Sequence, residues 1–531
     1  MKNKSILSII ITFILALIIY FFLLPPINIT STLFWMYVII LLSIYLTINT
    51  TSRLDLKGRI IGKLKDIKFL LIFIVVIIVG IIGTNFILSP LFNSKAYSKR
   101  INIVEDTENN NFITEIKEVD FNSLPLLDKD SSSRLGDRVM GQMPELVSQF
   151  YVSNLYTQIN YNNEIIRVTP LEYNGLFKYI SNYKEGVKGY ITVNSVSGQS
   201  NLIKLEKGMK YMPSAYLMKD LDRHLRFSYP TKIFDDKYFE IDNEGNPYWI
   251  TPTLKYIGVE LREDVEGIII TDPITGKSKY YEVGNIPTWV DHVYSSNLII
   301  EQVNDWGKYR NGFLNSIFGQ KNVVMTTEGY NYTVMNDDVY LYTGITSVSS
   351  DEANLGFILT NLRTKETRFY SVPGAEEYSA MASAKGQVQQ MNYTSTFQLL
   401  INLNNRPTYL ISLKDDAGLV KMYAFVYVQD YQKVVVTDAS KGIEIAANNY
   451  LNNVDLDIDE SLLIEKKIQI KEITSAIIDG NTYYYIIDTN NNKYYVSINV
   501  NKKILPFLKV NDTINIKVSK ETDVTEIIEI Y

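Results

Sequence analysis

Histidine is scarce in this chain: its 531 residues include two, His224 and His292, and no cysteine. Each histidine stands near carboxylates, in Asp222-Arg223-His224-Leu225-Arg226 and in Trp289-Val290-Asp291-His292-Val293. An imidazole oriented by a carboxylate can act as a general base. No G-x-S-x-G or H-E-x-x-H occurs in the sequence, so neither a serine-nucleophile elbow nor a zinc helix is written here. Without a nucleophile nearby, a helix-face histidine held by a structural hydrogen bond is the favoured reading of both. The dense acidic cluster is VDLDIDES, with Asp455, Asp457, Asp459 and Glu460. Carboxylates spaced by two resemble the opening of a calcium loop, whose oxygen donors suit a hard cation. The loop glycine is replaced by Glu460 and the distal glutamate by Lys466, which favours a solvated linker. Distant acids can meet in a fold to cleave glycosides, but no spacing here selects a pair. The sequence therefore assigns no catalytic residue and no cofactor, and leaves Asp455, Asp457 and Asp459 as the metal candidates.

The elements that would position any such site begin in a membrane. Residues 5–24, 33–48 and 69–92 are apolar runs without an ionisable side chain, and ~20 apolar residues suffice to cross a bilayer. The first run follows Lys2 and Lys4 and ends in Pro25-Pro26-Ile27-Asn28, with no small-residue cleavage site. It therefore reads as a retained span rather than a signal peptide. Arg53, Lys57, Arg59, Lys63, Lys65 and Lys68 precede the third run. Such a loop stays in the cytoplasm, which puts the N-terminus inside and everything after residue 92 outside. Residues 1–92 are thus a three-helix anchor with eight basic residues against two acids, and the remainder carries a net charge of −12. Acidic balance without basic–aromatic interleaving argues against nucleic acid. The 39 tyrosines are strand-packing residues first, with exposed ones suited to protein or glycan contact.

Residues 93–163 are a mixed juxtamembrane segment, with 101–119 alternating like a strand pair and 130–151 helical. Residues 164–440 show self-similarity. Gly-Tyr-Ile-Thr-Val-Asn at 189–194, Gly-Ile-Ile-Ile-Thr-Asp at 267–272 and Gly-Phe-Ile-Leu-Thr-Asn at 356–361 each run into a turn and a returning strand. Asn or Asp at a turn bonds its own backbone, so β-hairpins are expected. A strand precedes each hairpin, and Pro213, Pro287 or Pro373 follows it, where proline suits the first position of a helix. The unit is strand, hairpin, helix, three times over, with residues 407–428 as a fourth, degenerate hairpin. Residues 441–462 read as a helix and acidic linker. In 463–531, three strands, a short helix and two strands follow the element order of an OB-like barrel. The fold class is α+β, strand-rich.

Asp272-Pro273-Ile274-Thr275-Gly276 resembles the hairpin turn of PepSY-type domains. LGDR at 135–138, VSQF at 147–150, RHLRF at 223–227, EEYSAMASA at 376–384 and GLVKMYA at 418–424 are similar to an uncharacterised family of bacterial membrane-anchored extracytoplasmic proteins. That resemblance implies a bacterial envelope setting and brings no activity. The expected function is a membrane-anchored binding or scaffolding protein whose partners are envelope proteins or glycans. An envelope hydrolase using dispersed carboxylates and an accessory subunit of a sensor or transport complex are the alternatives.

Overall fold

A computed structural model describes residues 2–51, 65–107, 110–335, 337–348, 350–453, 464–478, 481–518 and 524–531. Asp455, Asp457 and Asp459 lie outside the described residues, as do Arg53, Lys57, Arg59 and Lys63. The protein is a strand-rich α+β molecule that opens with three apolar helices.

Helix α1 (Lys2–Leu23), α2 (Thr32–Thr51) and α3 (Lys65–Leu88) hold 22, 20 and 24 residues. At ~1.5 Å per residue each is long enough to cross a hydrocarbon core of ~30 Å. Many of their apolar side chains, Phe13, Phe69 and Ile82 among them, are exposed, while α1 packs along α2 and α2 along α3. The adjoining ends of all three are fastened to the large region that follows. Arg223 Nε donates to Phe21 O at 3.2 Å and Arg226 Nε to Leu24 O at 2.9 Å. Thr32 N donates to Glu260 Oε1 at 2.9 Å, and Asn85 Nδ2 to Val259 O at 2.9 Å. The two arginines thereby satisfy carbonyls that the end of α1 leaves without intrahelical donors.

Four sheets whose long strands run antiparallel follow, and the first three share one plan. A broken edge strand pairs with one long strand, which turns into a hairpin. In the first sheet the pieces Phe150–Val152 and Thr157–Tyr161 pair with Glu164–Tyr173, then Val187–Asn194 and Ser200–Met209 follow. In the second, Ile233–Phe234 and Tyr238–Ile241 pair with Pro247–Lys255, then Asp264–Thr271 and Ser278–Glu282. In the third, Val324–Thr326 and Asn331–Met335 pair with Asp338–Ser347, then Ser350–Asn361 and Thr367–Tyr370. In the fourth, Thr394–Ser395 and Leu399–Asn402 pair with Pro407–Lys414, which turns at Asp415, where Leu419 N and Gly418 N donate back.

The hairpin turns of the first three sheets are held identically. Asn194 Oδ1 accepts from Val196 N and Ser197 N, Asp272 Oδ1 from Ile274 N and Thr275 N, and Asn361 Oδ1 from Arg363 N and Thr364 N. Each turn closes on a residue of positive φ, Gly198, Gly276 or Lys365, the geometry in which such side-chain-to-backbone bonds are made. His224 serves one of them: its Nε2 donates to Gly276 O at 2.8 Å, and burial lowers its pKa.

Strand residues alternate faces, and here the two faces enter different cores. Trp249 and Ile269 pack with Phe239, Tyr190 and Leu225 between the first and second sheets. Ile250, Ile268 and Ile270 point the other way, onto Leu341, Ile358 and the helix Ser296–Tyr309 beside the third. This two-sided burial explains why Ile268, Ile269 and Ile270 follow one another without a polar break. The third sheet reaches the fourth through Phe357 and Tyr409, whose rings are 5.8 Å apart. The fourth returns to the first through Lys414 Nζ, 2.6 Å from Asp128 Oδ2. Asp128 caps the helix Lys129–Gly141 by accepting from Ser131 N, and that helix packs on the first hairpin.

Gly307 lets the helix Ser296–Tyr309 approach the strand Val324–Thr326. A Cβ there would stand 2.2 Å from Val324 O. Because backbone cannot yield as a side chain does, G307A should destabilise by about 1–3 kcal/mol, read as a lower midpoint of thermal unfolding.

Residues 101–119 depart from the expected strand pair. Ile103–Glu105 adds in parallel to Thr367–Tyr370, while Phe112–Glu115 is a helical turn. The alternation in 101–119 thus serves an edge and a buried Phe112. Nor do the prolines open helices: these begin at Leu221, Ser296 and Glu377, after Asp220, Ser295 and Glu376. The side-chain oxygens of Asp220 and Ser295 cap their helices, and capping outweighs the proline preference.

A second compact unit comprises Tyr423–Phe425 and Lys433–Tyr531. Its Ile464–Ile478 pairs first with Thr513–Val518 and then with Asn481–Asp488, across a register shift between Ile470 and Glu472. Asn481–Asp488 continues to Lys493–Ser497. The chain end pairs with both outer members, Thr525–Glu526 in parallel with Lys493–Ser497 and Glu529–Ile530 antiparallel with Thr513–Val518. Ile468, Ile470, Ile486, Val496 and Ile516 fill its core.

Candidate functional site

The broken edge strands do not close the sheets; they line a cavity. Tyr156 and Gln158 of the first sheet, Lys237 and Tyr238 of the second, Tyr330 and Tyr332 of the third and Phe397 of the fourth face one cleft of about 730 Å³. Its wall also holds Asp128, Asp222, Asp236, Arg167 and His292.

Arg167 and Gln158 are direct cross-strand partners on the first sheet. Arg167 is 6% exposed and Gln158 2%. Arg167 Nε and both amide atoms of Gln158 are buried without a hydrogen-bond partner among the described residues. Desolvation lowers the Arg167 pKa to about 10, against the opposing pull of Asp128 and Tyr332. Asp128 is itself taken by Lys414 and Ser131. Burying a charge without a close partner is costly, so the fold bears this arginine at the expense of stability. Tyr156 Oη is likewise buried and unpartnered.

His292 stands on the opposite wall, in the loop before the helix Ser296–Tyr309. Its ring stacks on Tyr238 at 4.8 Å and meets Tyr332 edge-on at 6.0 Å. Tyr332 Oη is 2.5 Å from Ser296 Oγ. Burial raises the pKa of both tyrosines, so both keep their protons. His292 is oriented from beneath by Glu240, not by its neighbour Asp291. Glu240 Oε1 accepts from His292 N at 3.0 Å and from Nδ1 at 3.1 Å, and Oε2 accepts from Asp291 N at 3.0 Å. A ring held through Nδ1 keeps a defined orientation.

Asp291 Oδ2 accepts from Asn160 N at 2.8 Å. Burial, and then the adjacent Glu240 carboxylate, push its pKa well above the ordinary range. A group with a raised folded pKa adds stability below its unfolded value, near pH 4, and gives it up as pH climbs to the folded value. Asp291→Asn keeps the accepting oxygen and removes the titration. Thermal midpoints measured against pH should fall for the wild type above about pH 4 and stay flatter for the variant, leaving D291N more stable at pH 8.

Of the two histidines read from sequence, then, His224 is a structural clasp and His292 lines the cleft. Among the described residues no group of three His, Asp or Glu side chains is placed to hold a metal. Sequence reasoning passed over Arg167, Gln158 and Glu240. The available signal was the pair of short strand-like pieces ahead of each long strand, such as Phe150-Tyr151-Val152 and Thr157-Gln158-Ile159.

The fold and cleft define an α+β protein with three helices long and apolar enough to cross a membrane and one cavity shared among its sheets. No known protein family matches the chain, and no curated protein matches it. Among solved structures, a sialidase of Trypanosoma rangeli in complex with 2,3-difluorosialic acid is similar over 71% of this chain and 53% of its own, at 8% identity and a TM-score of 0.14. The chain thus spans about half of that structure, and likeness at this level supports neither fold nor chemistry.

Proposed function

We propose that this is a bacterial cell-membrane protein whose large region lies outside the cytoplasm and binds a small polar ligand, as a binding or scaffolding component of the envelope. The observation that carries the reading is the convergence of the broken edges of four sheets on one cleft, where Arg167 Nε and the Gln158 amide lack hydrogen-bond partners among the described residues. Clefts with a few convergent polar groups are where ligands bind. The four sheets are read as repeats of one module set around the cleft in the manner of propeller blades, a reading supported by the identical Asx-held turns. The terminal unit is read as an OB-like barrel, supported by its closing strand order. Envelope proteins or glycans are the partners in view.

Two measurements test this. Protease added to wall-stripped cells should digest the large region and spare a tag on Met1. Crosslinking in intact cells should recover envelope partners, and recovery of none would overturn the scaffolding role. Hydrolysis is the second reading, favoured by the carboxylates at the cleft. Asp128 and Asp222 are engaged by Lys414 and Lys237, so turnover of wall polymers lost in D236N would reverse the choice.

A further inference from the structure

A buried guanidinium has a chemical complement. We propose that the cleft's ligand carries an oxyanion, a carboxylate or phosphate, which seats on Arg167 with Gln158 beside it; this rests on the cleft being a ligand site. Arginine presents donors in a planar fork that matches two oxygens of such a group. The amide of Gln158, opposite in register, supplies one more donor and one acceptor. No carboxylate of the protein forms an ion pair with Arg167 among the described residues, so the charge is left for something that arrives. The rings of Tyr238, Tyr332 and Phe397 on the other walls give the rest of the ligand an apolar face to lie on. A net charge of −12 beyond the anchor disfavours long polyanions and points to a small one.

The test uses the full chain in detergent, with thermal midpoints read in glucuronate, inorganic phosphate or glucose at matched ionic strength. Glucuronate or phosphate should raise the midpoint, and the stronger of the two identifies the oxyanion. Arg167→Met should weaken that binding at least roughly tenfold, while its own midpoint shows that it is folded. A response to glucose alone would overturn the oxyanion and leave the ligand site standing. A response that survives R167M would overturn the role of Arg167, and no response to any of the three would count against both readings.

A separate surface carries a second inference. Phe177 is 82% exposed and Leu217 66%, with Ile180 and Met218 exposed beside them. Leu217 holds φ at +52°, a conformation that L-residues with large side chains rarely adopt. The two segments are joined by Tyr179 Oη, which donates to Tyr216 O at 3.1 Å. Tyr216 and Leu217 share a hollow with Phe21 and Phe22 at the end of α1, and Arg223 lies 4.3 Å over the Phe21 ring. We infer that this lip enters the leaflet that α1 leaves, so that the large region is seated on the bilayer itself; the patch is continuous with a helix end already at the membrane boundary.

Since the chain has no cysteine, F177C and L217C each take one spin label in the full protein reconstituted in phosphatidylcholine vesicles. N243C serves as a control, in the hairpin turn at the opposite end of Pro247–Lys255 from the Glu260 contact with α2. Labels at 177 and 217 should collide more with oxygen than with a nickel chelate, and the label at 243 the reverse. Labels at 177 and 217 that match 243 would place the lip in water, and labels shielded from both reagents would place it against protein; either overturns the inference.

Discussion

Glu240→Ala is expected to cost about 3–5 kcal/mol of folding stability, the largest loss among the single changes considered. The side chain is fully buried. It accepts from Asp291 N, His292 N and His292 Nδ1 at 3.0–3.1 Å. Alanine leaves these three donors in the interior with no acceptor, and an unmade bond to a buried donor costs about 1–3 kcal/mol each. Part of that loss is recovered because Asp291 no longer faces a neighbouring charge. Glu240→Gln keeps the shape and one accepting oxygen, and should therefore fall well short of the alanine effect. Thermal and urea midpoints of the two variants at pH 7 check the order. Alanine milder than glutamine would mean that water replaces the carboxylate and that His292 does not depend on it.

Arg167→Met should move stability the other way, upward by about 1–4 kcal/mol. Methionine fills a similar length without charge. At 6% exposure the guanidinium has lost its water, and among the described residues no carboxylate pairs with it. Removing it therefore relieves a desolvation cost and breaks no bond. Sites that trade stability for function behave in this way. A raised thermal midpoint together with lost ligand response is the expected pair of results. A lowered midpoint would show that Arg167 holds the first sheet together and that its burial is structural.

Several features were legible in the chain because they depend on neighbours in sequence. The three apolar runs need only length and composition to become helices α1, α2 and α3. The hairpin turns at Asn194, Asp272 and Asn361 form through bonds from each side chain to the backbone two and three residues on, so local sequence specifies them. The helices begin two turns beyond the prolines expected to open them, at Leu221 rather than after Pro213 and at Ser296 rather than after Pro287, since the caps at Asp220 and Ser295 set the starts.

The site was not legible, and the reason is geometric. Arg167 stands in Arg167-Val168-Thr169-Pro170, where a charged residue in a strand reads as solvent-facing. It is buried because the first sheet is covered on both faces. The partner of His292 is Glu240, 52 residues away, rather than the adjacent Asp291, whose side chain turns to Asn160. That pairing forms because the chain, after the second sheet's hairpin, returns across the edge strand Tyr238–Ile241 of the same sheet. Local composition therefore determined the three apolar helices and the turns, because a helix or a turn satisfies its own backbone. The cleft was decided only by tertiary structure, because it exists where broken edges of four separate sheets come together.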